Sequence, residues 1–301
     1  MSKRSIIHML NPMKHNSPFD INMALDAGYD VLIPYSHVEL SEVAGLTQDA
    51  IFSRGPSGVK KTGMFIGGRD IGLAMDMLDS AKKSMVPPFE ISVFADPSGA
   101  FTTAAALVAC VERELKSKFQ QELKGAKAVV FGGTGPVGIA TAVIAALQGA
   151  ETAIVDHFSI DTALEFAAEA KKRYGVDLRG TTAASDADKA RLLSDADIVF
   201  CAAKAGVQVL NASVLRDATK LKVAGDVNAV SPLGIEGVKL MDFGAPLTHA
   251  TNSPDAVGIG ALAIGDIKYK LQQALLRETL ESEKPVYLDF RNAFEGARKL
   301  V

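Results

Sequence analysis

Tryptophan is absent from the 301 residues, cysteine nearly so, and neither sign of charge dominates. The two cysteines, Cys110 and Cys201, cannot build a disulfide framework, and neither belongs to a Cys-x-x-Cys pair. A reduced, cytoplasmic protein is expected. Lys and Arg number 32 against 35 Asp and Glu, a formal net charge of −3. That leaves no basic surplus for nucleic acid or an anionic membrane. The five histidines (His8, His15, His37, His157, His249) are scattered, with no pair at metal-ligand spacing on one helix, so no metal site is expected. After Lys3 and Arg4 the apolar stretch ends at Leu10, too short for the core of a secretion signal. One uncharged run, 128–150, is long enough to span a bilayer, but Gly132, Gly133, Gly135, Pro136 and Gly138 near its start mark a strand, a turn and a buried helix instead. What is present suits a globular chain: 48% apolar and 22% charged residues, and length for one large or two ordinary domains.

Short apolar runs alternate with helical patterns along the chain. Strands are predicted at 5–10, 30–35, 63–67 and 91–95, with helices at 17–28, 39–52 and 70–84 between them. Pro87-Pro88 forces a break, and a fourth helix follows at 101–119. The polar stretch 120–127, with Gly125, is the expected boundary. The alternation then restarts: strand 127–131, helix 136–148, strand 152–155, helix 162–174, a segment at 176–180, a short helix near 186–193, and strands 198–202 and 221–225. A last long helix is placed at 265–280 and a returning strand at 286–290. Strands alternating with helices imply parallel βαβ units, since parallel neighbours need a crossover. The expected architecture is two α/β domains: 1–124 for substrate, 125–264 for a dinucleotide, and 265–301 returning to the first domain, with the active-site cleft between them.

The sharpest local signal follows the strand at 127–131. Gly133, Gly135 and Gly138 have the G-x-G-x-x-G spacing and open a helix, the fingerprint of a Rossmann-type doubly wound sheet. The first glycine permits the tight turn, the second lets backbone approach a pyrophosphate, and the third lets helix pack on strand. The phosphates would sit on free N–H groups at the helix N-terminus, where Pro136 is tolerated because its missing N–H has no partner there. At the end of the next strand, Asp156 is placed to accept the ribose hydroxyls of NAD. No arginine follows closely, which favours NAD, although His157 beside it would tolerate the 2′-phosphate of NADP. Asp156 could equally serve as a helix N-cap.

No Tyr-x-x-x-Lys follows any of the five tyrosines, and no Gly-x-Ser-x-Gly elbow is present. Oxidising an alcohol needs a base for the hydroxyl proton. A nicotinamide site without an evident base fits a methylene bridged by two nitrogens, whose loss of hydride gives a stabilised amidinium-like cation directly.

Five segments, Leu10-Asn-Pro-Met-Lys-His-Asn-Ser-Pro-Phe-Asp20, Phe94-Ala-Asp-Pro-Ser-Gly-Ala-Phe-Thr-Thr103, Gly132–Gly138, Gly225-Asp-Val-Asn-Ala229 and Gly258-Ile-Gly-Ala-Leu-Ala-Ile-Gly265, together resemble the methylene-tetrahydromethanopterin dehydrogenases of methylotrophic bacteria, over nearly the whole chain. The resemblance implies oxidation of methylene-tetrahydromethanopterin to the methenyl form in formaldehyde oxidation, and homo-oligomers. It implies that Gly133, Thr134, Gly135, Pro136, Val137 and Gly138 hold the pyrophosphate and Asp156 and His157 the adenosine ribose. Ala202, Ala203, Lys204, Asp226 and Asn228 would then lie near the nicotinamide. Strictly NADP-dependent relatives carry Gly-Arg-Lys where this chain has Asp156-His157-Phe158, which supports NAD; closer relatives accept both. Lys268 matches a lysine placed at the reacting pterin, where it would orient the ring and tune charge rather than act as a base. Asp96 would bind the amino-pyrimidine edge, with Lys14, His15, Ser98, Thr102 and Thr103 as further substrate candidates. Local readings stay open for these residues: Asp96 as a turn former before Pro97, Thr102 and Thr103 as helix caps, Lys14 and His15 as loop residues, Lys268 as a solvated helix lysine, Cys201 as buried filler. Rival functions are the same reaction on methylene-tetrahydrofolate, and a non-catalytic NAD sensor.

Overall fold

A computed structural model of the chain describes residues 3–301. In chain order its elements are β1 (Ile6–Leu10), α1 (Pro18–Asp26), β2 (Val31–Tyr35), α2 (Val43–Phe52), α3 (Gly55–Val59), β3 (Thr62–Ile66), α4 (Ile71–Lys83), β4 (Ser92–Ala95) and α5 (Ala100–Phe119). There follow β5 (Lys127–Phe131), α6 (Pro136–Leu147), β6 (Glu151–Asp156), α7 (Ile160–Tyr174), β7 (Leu178–Thr182), α8 (Asp186–Leu193), β8 (Ile198–Cys201), α9 (Ala212–Arg216) and β9 (Val223–Asp226). The chain ends with β10 (Phe243–Pro246), β11 (Val257–Ile259), α10 (Ala261–Glu281), β12 (Tyr287–Leu288) and α11 (Phe290–Arg298). Two compact units result: residues 1–102 with 269–296, and residues 103–268 with 297–301.

The first unit holds a five-stranded sheet in the order β12-β4-β3-β1-β2, every neighbouring pair parallel. The order of burial explains the order of strands. Thr62–Ile66 and Ser92–Ala95 are buried at every position, as strands covered on both faces must be. Val31–Tyr35 is half exposed and carries Pro34, which a sheet tolerates only at an edge. Phe65 and Phe94 meet edge to face at 5.5 Å between β3 and β4. The strand sequence reverses direction at β1 and β3, which places a switch point between their carboxyl ends.

The second unit holds seven strands in the order β10-β11-β9-β8-β5-β6-β7. All pairs are parallel except β10 with β11. Read from β7 inward, the parallel six follow the doubly wound dinucleotide order, with the switch point between β5 and β8. The core on one face gathers Val129, Phe131, Val155, Val199, Leu215 and Ile235.

The α/β alternation expected from the sequence is observed, with local differences. The helix expected at 39–52 begins as a 3-10 turn at Leu40–Glu42, closed by reciprocal Glu39–Glu42 capping, before α2. The segment at 176–180 forms its strand two residues later, at Leu178–Thr182. The returning strand shrinks to Tyr287–Leu288, because Asp289 turns the chain by accepting from the Arg291 N–H, and α11 follows. α3, α9, β10 and β11 had no sequence expectation. No helix among the described residues is long and apolar enough to cross a membrane.

Candidate active site

The glycine loop of the second unit is built by close packing at two of its three fingerprint positions. A Cβ on Gly133 would lie 2.7 Å from Ile154 Cβ, and one on Gly138 only 2.1 Å from the Gly132 carbonyl oxygen. Gly132, at φ +70°, has no room for a side chain either: an added Cβ would lie 2.6 Å from the Ala202 carbonyl oxygen, so the loops after β5 and β8 pack closely at the switch point. Gly135 differs. Its φ is −76°, and the nearest atom to an added Cβ is the Gly132 oxygen at 3.4 Å, an ordinary contact. Nothing inside the protein requires a glycine there, and its bare backbone leaves open the approach to the start of α6. No side chain caps α6, and the first intrahelical bond runs from the Ile139 N–H to Gly135, leaving the Val137 and Gly138 amides pointing out of the helix start. These residues fit a pyrophosphate.

Asp156 ends β6 beside this loop. Its Oδ2 accepts from the Thr134 hydroxyl at 2.7 Å, and its Oδ1 accepts from the Phe158 and Ser159 N–H groups. The cap of α7 is Ser159, whose hydroxyl accepts from the Thr162 N–H. Burial alone would raise the Asp156 carboxyl, but the hydrogen bonds from Thr134, Phe158 and Ser159 and the nearby His157 leave it below the ordinary aspartate value. It is therefore an ionised acceptor at neutral pH. His157 is exposed, and Phe158 beside it is 90% exposed, their rings 4.7 Å apart.

Across the switch point, Ala202 and Ala203 are half-buried, and the Lys204 side chain is exposed. Asp226 and Asn228 are buried and occupied. Asp226 accepts from the Asn228 and Ile235 N–H groups; Asn228 Oδ1 accepts from Gly206 and Val230, and its Nδ2 donates to the Pro232 carbonyl. Burial raises the Asp226 carboxyl despite those donors. Both residues pin the loop after β9. Cys201 is fully buried against Asp226, and burial pushes its thiol far up, out of the range of a nucleophile.

In the first unit Asp96, Ser98, Thr102, Lys14 and His15 lie at the carboxyl edge of the sheet, whereas Thr103 and Lys268 are the first and last residues of the second unit's main stretch. Asp96 is fully buried: its Oδ1 accepts from the Phe101 and Thr102 N–H groups and its Oδ2 from the Thr102 hydroxyl at 2.6 Å. Asp96 and Thr102 thus organise the start of α5, while Thr103 is half-buried on the next position. Ser98 adopts a left-handed conformation (φ 54°, ψ 27°), rare for a residue with a Cβ, and its hydroxyl donates to the Gly68 carbonyl. Lys14 and His15 are exposed on the loop after β1. Sequence reasoning missed the residue that shapes that loop: Asn11, buried, accepts from the Met13 N–H and donates to the His15 carbonyl. Its signal was the Asn-Pro dipeptide, a turn marker. Lys268 is half-buried on α10, one turn beyond Gly265. Among the described residues no group of three or more His, Cys, Asp or Glu is placed to hold a metal ion.

A doubly wound sheet with a glycine-rich turn at its switch point, an ionised aspartate closing the second strand, and a second parallel α/β unit define a two-unit α/β protein of the kind whose residues fit a dinucleotide. Solved structures share that fold. Quinate dehydrogenase from Corynebacterium glutamicum in complex with NAD aligns at TM-score 0.55 and 13% identity, covering 97% of this chain and 98% of that one. Ligand-free 5-ketofructose reductase of Gluconobacter sp. strain CHM43 aligns at 0.52 and 15% identity, covering 99% of each. Residues 18–98 match the family described as methylene-tetrahydromethanopterin dehydrogenase, N-terminal. The chain is 48% identical, over 99% of both chains, to the NAD(P)-dependent methylenetetrahydromethanopterin dehydrogenase of Methylorubrum extorquens. It is 32% identical, over 95% of both, to the bifunctional protein MdtA of the same organism. The protein belongs to the methylene-tetrahydromethanopterin dehydrogenase family.

Proposed function

We propose that this protein oxidises methylene-tetrahydromethanopterin to the methenyl form, delivering hydride to NAD(P)+, as a cytoplasmic homo-oligomer in formaldehyde oxidation. The observation that carries the reading is the end-to-end kinship with the NAD(P)-dependent enzyme, at 48% identity. The second unit takes the dinucleotide and the first the pterin. When bound, the nicotinamide supplies the hydride acceptor. The Val137 and Gly138 amides bind the pyrophosphate, with Gly135 leaving room for it, and Asp156 accepts from the ribose hydroxyls. Ala202, Ala203 and Lys204 border the nicotinamide end at the switch point. Asp226 and Asn228 act by holding the neighbouring loop rather than by touching the ring. On the pterin side Asp96 and Thr102 brace the loop that presents Ser98, and Lys268 orients the ring. The donor carbon lies between two nitrogens whose lone pairs stabilise the cation left by hydride loss, so orientation supplies most of the rate and no proton need be removed.

The test is cofactor reduction by the purified protein with tetrahydromethanopterin and formaldehyde, which condense to the methylene form, with tetrahydrofolate, NAD and NADP compared in parallel. Pterin-dependent reduction is expected with tetrahydromethanopterin. Reduction with tetrahydrofolate alone, or NAD binding without turnover, would overturn the assignment. Two variants probe the residues. Asp156→Asn removes the charge that repels a 2′-phosphate, and the ratio of kcat/KM for NADP over NAD should rise at least about tenfold, equivalent to 1.4 kcal/mol. An unchanged ratio would reduce Asp156 to a turn former. Lys268→Ala should lower kcat about 10²-fold, the usual cost of losing one well-placed polar group at a reacting centre. A wild-type kcat would remove Lys268 from the site.

A further inference from the structure

The carboxyl edge of the five-stranded sheet carries basic side chains that no assigned role uses. The loop after β1 presents Lys14 and His15, the loop after β2 presents His37, and the loop after β3 presents Arg69; all four are exposed. Backbone contacts draw these loops together. The His37 N–H donates to the Met13 carbonyl at 3.0 Å and the Val38 N–H to Asn11 at 3.1 Å, while Asn16 Nδ2 donates to the Tyr35 carbonyl at 2.9 Å. The Gly67 N–H donates to the Leu10 carbonyl, and Gly68 backs so closely on Pro12 that an added Cβ would lie 2.9 Å from its ring. The four bases therefore rise from one loop cluster, at the β1/β3 switch point of this unit.

Among the described residues, none of the four has a side-chain hydrogen bond or ion pair. The neighbouring acids are engaged. Asp70 caps α4 through the Leu73 N–H, Glu39 is tied to Glu42 in a capping box, and Asp96 is fully buried. These basic side chains are thus without carboxylate partners among the described residues, unlike Lys127, Lys171 and Lys222. Two further features mark the place. His37 holds φ at 56°, a conformation that costs free energy for a residue with a Cβ. Gly67 is buried just past β3, where an added Cβ would be in ordinary contact with Asn11 and Phe65 at 3.8 Å, so the chain there packs directly on the loop that carries Lys14 and His15.

We infer that Lys14, His15, His37 and Arg69 form an anion-binding rim that holds a phosphate or carboxylate on the side chain of the pterin substrate. The inference rests on the pterin assignment of the first unit and adds His37 and Arg69 as residues that set substrate affinity. Guanidinium, ammonium and imidazole groups on mobile stems recognise such groups by charge-assisted hydrogen bonds. Contacts to a group that does not itself react contribute uniform binding, which appears in KM and not in kcat.

The test is the double variant His37→Asn with Arg69→Gln. Asparagine accepts the left-handed backbone at position 37, so that loop keeps its shape. With equal melting temperatures established, the pterin KM should rise about tenfold, with kcat and the NAD KM within a factor of two. Inorganic phosphate should inhibit the wild type competitively against the pterin and not against NAD, and inhibit the variant less. An unchanged pterin KM would overturn the rim, and a raised NAD KM would assign it to the nucleotide instead. Should the wild type turn over no pterin at all, the functional assignment fails, and phosphate binding by calorimetry decides the rim alone. Binding by wild type and not by Arg69→Gln would sustain it, and no binding by either would overturn it.

Discussion

A Gly135→Ala variant is expected to melt within about 2 °C of the wild type and to lose at least about tenfold in NAD affinity, equivalent to 1.4 kcal/mol. Gly138→Ala is expected to do the reverse first, falling by roughly 6–12 °C for a loss of about 3 kcal/mol. The two changes add the same methyl group within three residues of one another, and the difference lies in what the methyl meets. At position 138 it would sit 2.1 Å from the Gly132 oxygen, backbone against backbone with no side chain free to yield. Either α6 moves off β5 or the turn opens, and both uncover apolar core. At position 135 the nearest protein atom is 3.4 Å away and φ is ordinary, so the free protein has no reason to object. In the proposed reading the methyl instead occupies the space through which a pyrophosphate would reach the amides of the first helical turn. Thermal melts without cofactor, followed by NAD titration, separate the two effects. Equal NAD affinity in Gly135→Ala and the wild type would mean that the loop is only a packing device.

The same contrast explains why part of the protein is legible from its sequence. Gly133 and Gly138 are demanded by local packing, Gly135 in the proposed reading by the ligand, and all three lie within one turn, so their spacing survives in the linear order. The buried strands Lys127–Phe131 and Ile198–Cys201 are equally plain, because a strand covered on both faces must be apolar at consecutive positions. Legibility fails where the cause is long-range. Phe243–Pro246 and Val257–Ile259 are short and rich in glycine or proline, and they become strands only because β9 offers an edge to β11 and β11 in turn offers one to β10. The returning strand expected at 286–290 was legible in kind but not in length, because only Tyr287–Leu288 dock on β4 before the chain turns into α11.

Among the site candidates the same rule holds. Asp156 was readable because its place at the end of β6 follows from the βαβ repeat. Asp96 was readable as a charged residue at a strand end, but not as one whose carboxylate is wholly enclosed by the start of α5. Asp226 and Asn228 presented the same difficulty. An acid and an amide at a strand end are the residue types that bind cofactors, and they are also the types that organise loops, and only the hydrogen-bond directions separate the two uses. The orientation of a side chain is a tertiary property that spacing does not encode.

The second large effect is on stability and concerns the far end of the dinucleotide helix. Glu112 on α5 is 6% exposed. It accepts from Arg298 Nε at 2.7 Å and Nη2 at 2.8 Å, and from Lys116 at 3.1 Å. The same guanidinium donates to Gln148, which caps the C-terminus of α6. Burial would raise the Glu112 carboxyl, but the hydrogen bonds and charges of Arg298 and Lys116 hold it below its ordinary value. Glu112→Ala leaves the guanidinium part-buried without its anion. The expected loss is about 3 kcal/mol, the low end for a broken buried pair, because the Arg298 side chain stays 29% exposed. A double change, Glu112→Leu with Arg298→Met, should recover part of that loss, since no uncompensated charge remains. The pH dependence has a definite sign. A carboxylate depressed in the folded state contributes stability that is fully present above its unfolded value, about 4.3, and is lost as pH falls through the folded value. Urea melts at pH 7 and pH 4 should therefore show the gap between wild type and Glu112→Ala narrowing on acidification, and a constant gap would assign the loss to packing alone. The proposed phosphate site is at the opposite end of α6, where the uncapped amides and the positive end of the helix dipole lie, so the NAD KM of the folded Glu112→Ala protein should match the wild type. A raised NAD KM would mean that the bridge sets the position of the whole helix and not only the anchorage of its last turn.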